Sequence, residues 1–324
     1  MAEKMECWPG WETVREIGKG SYGAVYEVQR ELAGTTEKAA VKVLHIPGNG
    51  ASVKELLAEG EDNASITKRF EGYRDDALRE YLLMSRMKGQ TNVVCCDDVR
   101  YIQQEDGFGW DIYIKMELLT PLSDVLTGAI SEDLVIRMSM DLCSALTLCG
   151  KHNIVHRDIK PQNIFISSTG DFKLGDFGIA KTIEKTSLGT KIGTFNYMAP
   201  EVFHNQSYGA SADICSLGLV MYWLLNERRH PFLPLPPAVL TNSLREKARQ
   251  RWFSGEPLPA PAHGSKELKD IVLKACAFDP AARYTDPQQM RDALAALAGG
   301  SDLILYDRKV DLPPSLKLRP PEEL

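Results

Sequence analysis

The sequence predicts an α+β chain of two lobes: a small β-rich lobe with one long helix, then a larger, mainly helical lobe, with a cleft between them. Three observations lead there. Short runs that alternate apolar with polar or small residues, separated by glycines, fill the first third of the chain, as half-buried strands require. One stretch of that third instead repeats its apolar residues every three or four positions, the period of a helix with one buried face. Beyond Thr120-Pro121 the helical period dominates. The 324 residues suit one large domain or two lobes.

Residues 1–10 read as an N-terminal extension and 11–117 as the small lobe. Its strand candidates begin with Trp11 to Ile17, Ala24 to Val28 and Ala39 to Leu44, and Gly34-Thr35-Thr36 turns between the last two. Pro47 to Asn63 is polar and holds a short helix candidate at Val53 to Ala58. In the long helix Ile66, Phe70, Tyr73, Ala77, Tyr81, Met84 and Met87 share one face, and Gly89 stops it. Val99 to Gln103 and Asp111 to Glu117 are two further strands. Residues 118–298 form the second lobe. Its periodic segments are Leu134 to Leu148, Ala212 to Leu225, Leu268 to Ala277 and Met290 to Leu297. The proline-rich run His230 to Pro237 is a rigid, irregular connection. Residues 299–324 are expected to be a flexible tail.

Hydrophobic residues make up 44% and charged residues 25%, ordinary for a chain that buries a core. The balance of 38 basic to 44 acidic residues, net −6, argues against nucleic-acid binding by blanket phosphate neutralisation. The most apolar run, Ile214 to Leu225, is shorter than a membrane span and contains Ser216 and Gly218. The N-terminus lacks the apolar core of a signal peptide. Seven cysteines without framework spacing read as reduced thiols, so a cytoplasmic location is expected.

Gly18-Lys19-Gly20-Ser21-Tyr22-Gly23-Ala24-Val25 fits G-x-G-x-x-G-x-V. A dinucleotide site needs a helix right after the glycines, but Val25 to Val28 prefers strand, so the glycines sit in a hairpin. Such a hairpin is either a plain turn or a cover over a triphosphate that offers backbone N–H groups. Lys42 lies inside an apolar strand. Its ammonium either reaches solvent or pairs with anions, such as the α/β-phosphates of ATP and a carboxylate, for which Glu80 on the long helix is the candidate. Glu71 lies roughly 13 Å from Glu80 along the helix, so the two cannot share that role.

The stretch His156-Arg157-Asp158-Ile159-Lys160-Pro161-Gln162-Asn163 packs an acid, a base and an amide into a loop, because Pro161 prevents a regular helix. Phosphoryl transfer needs positioning and charge neutralisation more than covalent chemistry. Asp158 can orient a hydroxyl and accept its proton, Lys160 can neutralise γ-phosphoryl oxygens, and Asn163 can offer a carbonyl oxygen to Mg2+. The four-residue spacing of His152 and His156 resembles a zinc pair, but Asn153 stands where such a motif needs glutamate. Asp176-Phe177-Gly178 puts a second carboxylate at a strand end, followed by a flexible glycine, and Ala199-Pro200-Glu201 closes the segment.

Taken together, in this order, these motifs resemble the protein kinase family over about residues 11 to 298. The resemblance implies a bilobal protein kinase fold, with a small antiparallel β-sheet lobe. Gly18, Gly20 and Gly23 would cover the phosphates. Val25, Ala40 and Phe165 would sandwich adenine, although Phe165 is bulkier than the leucine often found there. Met116 falls at the gatekeeper position and Glu117-Leu118-Leu119 at the hinge. Lys42 and Glu80 would pair, Asn163 and Asp176 would hold Mg2+, or Mn2+ in its place, and Asp158 would be the catalytic base. Asp213 would anchor the catalytic loop, and Arg283 would pair with Glu201. Lys160, and Gly193-Thr194 ahead of Ala-Pro-Glu, point to the Ser/Thr branch, where Thr194 bridges Asp158 and Lys160. The sequence is most similar to bacterial, eukaryotic-like Ser/Thr kinases, with protein substrates bearing Ser or Thr.

Arg157 before Asp158 goes, in that family, with activation by phosphorylation. Thr186 and Thr190 are the candidate sites, and a phosphate there could pair with Arg157. Residues 48–76 read as an insert ahead of the turn that carries Glu80. It is either a surface elaboration that packs on the small lobe, or a docking site or brake on the long helix. The chain is expected to be a kinase without a membrane segment of its own, or part of a longer one. Two other readings stand beside an active kinase: a pseudokinase scaffold, although Lys42, Glu80, Asp158, Asn163 and Asp176 are all present, and a small-molecule phosphotransferase, which lacks the Gly-Thr and Ala-Pro-Glu segment.

Overall fold

The protein is seen in a computed structural model that describes residues 7–19, 23–48, 53–126, 130–177 and 194–298. It divides into two units. The first holds the described residues up to Gln90, those from Val94 to Leu119, and Phe177. The second holds Thr91–Val93, Thr120–Asp176 and the described residues from Thr194 on.

The first unit is an antiparallel five-stranded sheet: β1 (Glu12–Lys19), β2 (Gly23–Leu32), β3 (Thr35–Ile46), β4 (Cys96–Gln103) and β5 (Trp110–Met116), in the order β1-β2-β3-β5-β4. All five expected strands form, and β2 and β3 run further than alternation alone indicates. Their hairpin turns at Ala33-Gly34, both with positive φ (51° and 79°), the geometry whose twist matches paired strands. The expected turn at Gly34-Thr35-Thr36 is therefore one residue off. Thr35 and Thr36 already pair with Leu32 and Glu31.

Alternation splits β3 between two faces. Ala39, Val41 and Val43 form one buried cluster with Val28, and Trp8 and Trp11 close over it. The Trp8 indole donates to Asp98 Oδ2 at 2.9 Å, and the Lys115 ammonium lies over both indoles. Trp8, within the expected N-terminal extension, thus belongs to the core of this unit. Ala40, Lys42 and Leu44 point to the opposite face.

Helix α1 (Val53–Ala58) and helix α2 (Asn63–Arg86) lie between β3 and β4. Asp62 caps α2 by accepting from Ser65 N at 2.8 Å, and Gly89, with φ +86°, follows its end. Ile66, Phe70, Ala77 and Met84 are its buried stripe. Of residues 48–76, read as an insert, 53–58 is α1 and 63–76 is the N-terminal half of α2, continuous with the turn of Glu80.

The second unit begins with β6 (Thr120–Pro121), α3 (Leu122–Val125) and α4 (Glu132–Lys151). Strands β7 (Ile164–Ile166) and β8 (Phe172–Leu174) join β6 in a small sheet. Then come α5 (Pro200–Phe203), α6 (Ala210–Leu225), α7 (Asn242–Phe253), α8 (Lys266–Ala275) and α9 (Pro287–Leu297). Helix α6 is apolar on nearly every side and forms the centre, with α4 and α8 packed against it and α9 against all three. Helix α7 has no counterpart among the periodic segments expected of the second lobe. Only Ala248, Trp252 and Phe253 of it are buried, too few for a visible apolar period, although the Thr241 cap and the spacing Leu244-Ala248-Trp252 were legible. No helix among the described residues is long and apolar enough to cross a membrane.

Candidate active site

In the first unit the strand register collects several expected nucleotide contacts. Val25 stands opposite Lys42, Gly18 opposite Val25, and Ala40 opposite Met116. Directly opposed residues share a face, so Val25, Ala40, Lys42 and Met116 lie on one side of the sheet. Gly23 has a further, steric reason to be glycine, since a Cβ there would lie 1.7 Å from Val43 O. Glu117 donates its N–H to Cys95 O at 3.1 Å and accepts from Cys95 N through Oε1 at 2.6 Å. These bonds fix the chain where it leaves β5, ahead of the half-buried Leu119. Glu80 occupies a position of α2 three residues after Ala77 and four before Met84, both buried.

In the second unit the loop between α4 and β7 is held by partners far away in sequence. Both oxygens of the buried Asp213 accept backbone hydrogen bonds, from His156 N at 2.7 Å and Arg157 N at 2.9 Å. Burial pushes the Asp213 carboxyl up to about 6, against the pull of those two N–H groups. The His156 ring accepts from Asp158 N at Nδ1 (3.3 Å), so its Nε2 carries the hydrogen donated to Gly175 O at 3.0 Å. Arg157 sits in the left-handed region at φ +69°, and its guanidinium lies 5.4 Å over the Tyr208 ring. The sequence offered no signal for that platform.

The anchored loop presents Asp158, whose Oδ2 accepts from Lys160 Nζ at 2.8 Å and from Asn163 Nδ2 at 3.1 Å. Asn163 Nδ2 also donates to Asp158 O at 2.8 Å. Its amide hydrogens are thereby turned toward Asp158, and the group it offers elsewhere is the Oδ1 carbonyl, a hard-cation donor. Gly175 N donates to Asn163 O at 3.0 Å, which sets the exposed Asp176, at φ +55°, next to the end of the same ladder. An amide carbonyl and a carboxylate fit Mg2+, which takes one or two protein oxygens and completes its shell from phosphates and water. Phe165 is half-buried in β7, and Phe177 is buried.

Beyond this loop, a cavity is lined by Arg157, Asp158, Lys160, Tyr197, Met198 and Ala199. The segment that forms its far wall is pinned by Glu201 and Arg283. Arg283 Nη1 and Nη2 donate to the two Glu201 oxygens at 2.7 and 2.8 Å, and its other hydrogens go to the carbonyls of Ala277, Ser211 and Phe278. All five guanidinium donors are engaged, which a buried arginine requires. Gly20, Gly178, Thr186 and Thr190 lie outside the described residues, and of Thr194 only the backbone position, opening a short 3-10 turn to Tyr197, is described.

Among known families, the protein kinase domain matches residues 11–295. The chain is similar to a probable serine/threonine-protein kinase PknB of Lactococcus lactis, 26% identical over 308 residues, covering 93% of this chain and 44% of that protein. It is 31% identical over 283 residues to a probable serine/threonine-protein kinase nek3 of Dictyostelium discoideum, covering 83% and 22%. Over 201 residues it is 34% identical to serine/threonine-protein kinase PknB of Mycolicibacterium smegmatis, covering 58% and 31%. The chain thus spans less than half the length of each of these relatives.

Proposed function

This chain belongs to the protein kinase family, and from that premise we propose that it transfers the γ-phosphoryl group of ATP to serine and threonine hydroxyls of proteins. Asp158 orients the acceptor hydroxyl and takes up its proton. Lys160, bonded to Asp158, places its positive charge where the transferring phosphoryl group gathers negative charge. Lys42 and Glu80 align the nucleotide from the sheet and the long helix, and Val25, Ala40, Met116 and Leu119 hold adenine. Asn163 and Asp176 hold Mg2+, which when bound neutralises phosphate charge. The observation that carries this reading is the Asp158 carboxylate, gripped by Lys160 and Asn163 in a loop whose backbone hangs on Asp213.

The Ser/Thr preference rests on Lys160 and the Gly193-Thr194 signature, and the names of the relatives agree with it. We also infer autophosphorylation at Thr186 or Thr190, with Arg157 as the receiver of that phosphate. A cytoplasmic setting fits the thiols: no disulfide forms among the described residues, which include all seven cysteines, and burial pushes Cys149 and Cys215 up to about 12.

The test is transfer of labelled phosphate from Mg-ATP to a generic basic protein, with phosphoamino acids resolved. Wild type should label Ser and Thr, and Asp158→Asn should lose roughly a thousandfold in rate while still binding ATP. Equal transfer by the variant, or label confined to tyrosine, would overturn the assignment.

A further inference from the structure

Helix α7 carries four basic side chains, Arg245, Lys247, Arg249 and Arg251, against one acidic side chain, Glu246, in a chain whose net charge is −6. Arg245 and Arg249 are one turn apart and share a face. Ala248, Trp252 and Phe253 are buried and seat the helix. Trp252 Nε1 donates to Met198 O at 3.1 Å, and Phe253 stacks on Phe203 with centroids 3.8 Å apart.

This seating sets the two arginines beside the turn Thr194–Tyr197. The Arg249 guanidinium lies 5.3 Å over the Phe195 ring. Arg245 is close enough to His230 that its charge adds to burial in holding that imidazole neutral, and His230 packs edge-on against Tyr197 at 4.8 Å. Tyr197 in turn lines the cavity that holds Asp158 and Lys160.

The basic side chains of α7 differ in what satisfies them. Arg251 is paired with Glu256 and lies over Phe232. Arg249 reaches Glu246 at 3.1 Å through Nη2, and its Nε is buried without an acceptor among the described residues. Arg245 is exposed, and no carboxylate among the described residues pairs with it. A guanidinium fork matches a carboxylate, and the exposed Arg245 can offer such a fork.

Building on the kinase reading, we propose that Arg245 and Arg249 form a specificity subsite that takes an acidic side chain of the protein substrate, a few residues from the accepted hydroxyl. The pair would attract a carboxylate and repel a lysine at that position, so charge sets the choice of substrate from both sides.

The experiment uses a peptide set with one Ser or Thr and Asp, Ala or Lys stepped through the flanking positions. It is read as kcat/KM and as equilibrium binding by fluorescence anisotropy at low and high salt. Wild type should favour Asp over Lys roughly tenfold or more at one position, and binding of that Asp peptide should weaken with salt. Arg245→Glu should reduce the Asp/Lys ratio, and Arg245→Glu with Arg249→Glu should invert it. Because the ratio is taken within one variant, a general change in turnover cancels, and the exposed Arg245 gives a variant that leaves the buried side of α7 intact. Equal use of Asp and Lys peptides by wild type, or an Asp preference unchanged in both variants, overturns the subsite. If no peptide accepts phosphate, the kinase reading fails, and binding alone decides the subsite: charge-selective binding lost in the variants supports it, and charge-blind binding overturns it.

Discussion

Arg283 shows what one buried side chain has to satisfy. It is fully buried, with every N–H donor engaged, and the two Glu201 oxygens are its bidentate partner. Truncating it leaves the Glu201 carboxylate buried and uncompensated, the costly way to break such a pair. Arg283→Ala should therefore lose about 3–5 kcal/mol of unfolding free energy in chemical denaturation. Arg283→Lys should recover only part of that, since an ammonium has three donors and no planar fork. A loss below about 1 kcal/mol for the alanine variant would show that the pair contributes little. At this scale most of the candidate site was legible: Asp158, Lys160, Asn163 and Asp176 stand in short contiguous motifs whose residue types state their chemistry. Tyr208 under Arg157 and Trp252 on Met198 were not, because one aromatic residue in a sequence does not announce what its ring or its N–H meets.

Helices α6 and α8 approach closely at Gly218. A Cβ there would lie 2.8 Å from Cys276 Sγ and 2.9 Å from Ala275 Cβ. Alanine is the better helix former by up to about 1 kcal/mol, whereas overpacking costs about 1–3 kcal/mol. Gly218→Ala should therefore destabilise by roughly 1–2 kcal/mol. Adding Cys276→Ala should return part of that loss, a coupling that a double-mutant cycle measures. Full additivity would place the strain elsewhere. Element existence followed well from periodicity for α2, α4, α6, α8 and α9, whose buried residues recur over several turns. Helix α7 escaped because most of its surface faces solvent. The Trp8–Trp11 cover escaped as well, since two tryptophans ahead of a strand carry no period.

Across the whole molecule, acidification acts on buried groups in opposite senses. His230 is held down to about 4 by burial and by Arg245, against 6.5 for the exposed ring. The unfolded chain therefore takes up this proton first, and stability from this residue is lost as pH falls from about 6.5 towards 4, by up to about 3 kcal/mol. Asp141 and Asp213, both pushed up to about 6 by burial, work the other way. In the folded state they keep their protons up to a higher pH than in the unfolded chain, so they add stability as pH falls from 6 towards 4. The stability profile of the wild type mixes these terms, and a variant separates them. The stability of His230→Phe relative to wild type should rise as pH falls from 7 to 4.5, so the two melting curves converge or cross on acidification. A constant difference across that range would mean that His230 takes up its proton without cost. Its Nδ1 has no hydrogen-bond partner among the described residues, so the phenylalanine leaves no broken bond there.

The sequence by itself determined the family, the five strands, the long helix and the short motifs that place an acid, a lysine and an amide side by side in the candidate site. Those properties are local: a pattern of two or of three to four, a proline or glycine at a fixed offset, an acid beside a base. The tertiary structure alone decided the distances within the loop that carries Asp158, the tautomer of His156, the tryptophan cover on the sheet and the seating of α7 beside Phe195. These depend on which distant surface meets a buried face. Periodicity reports that a face is buried, and only the folded chain selects the partner that buries it.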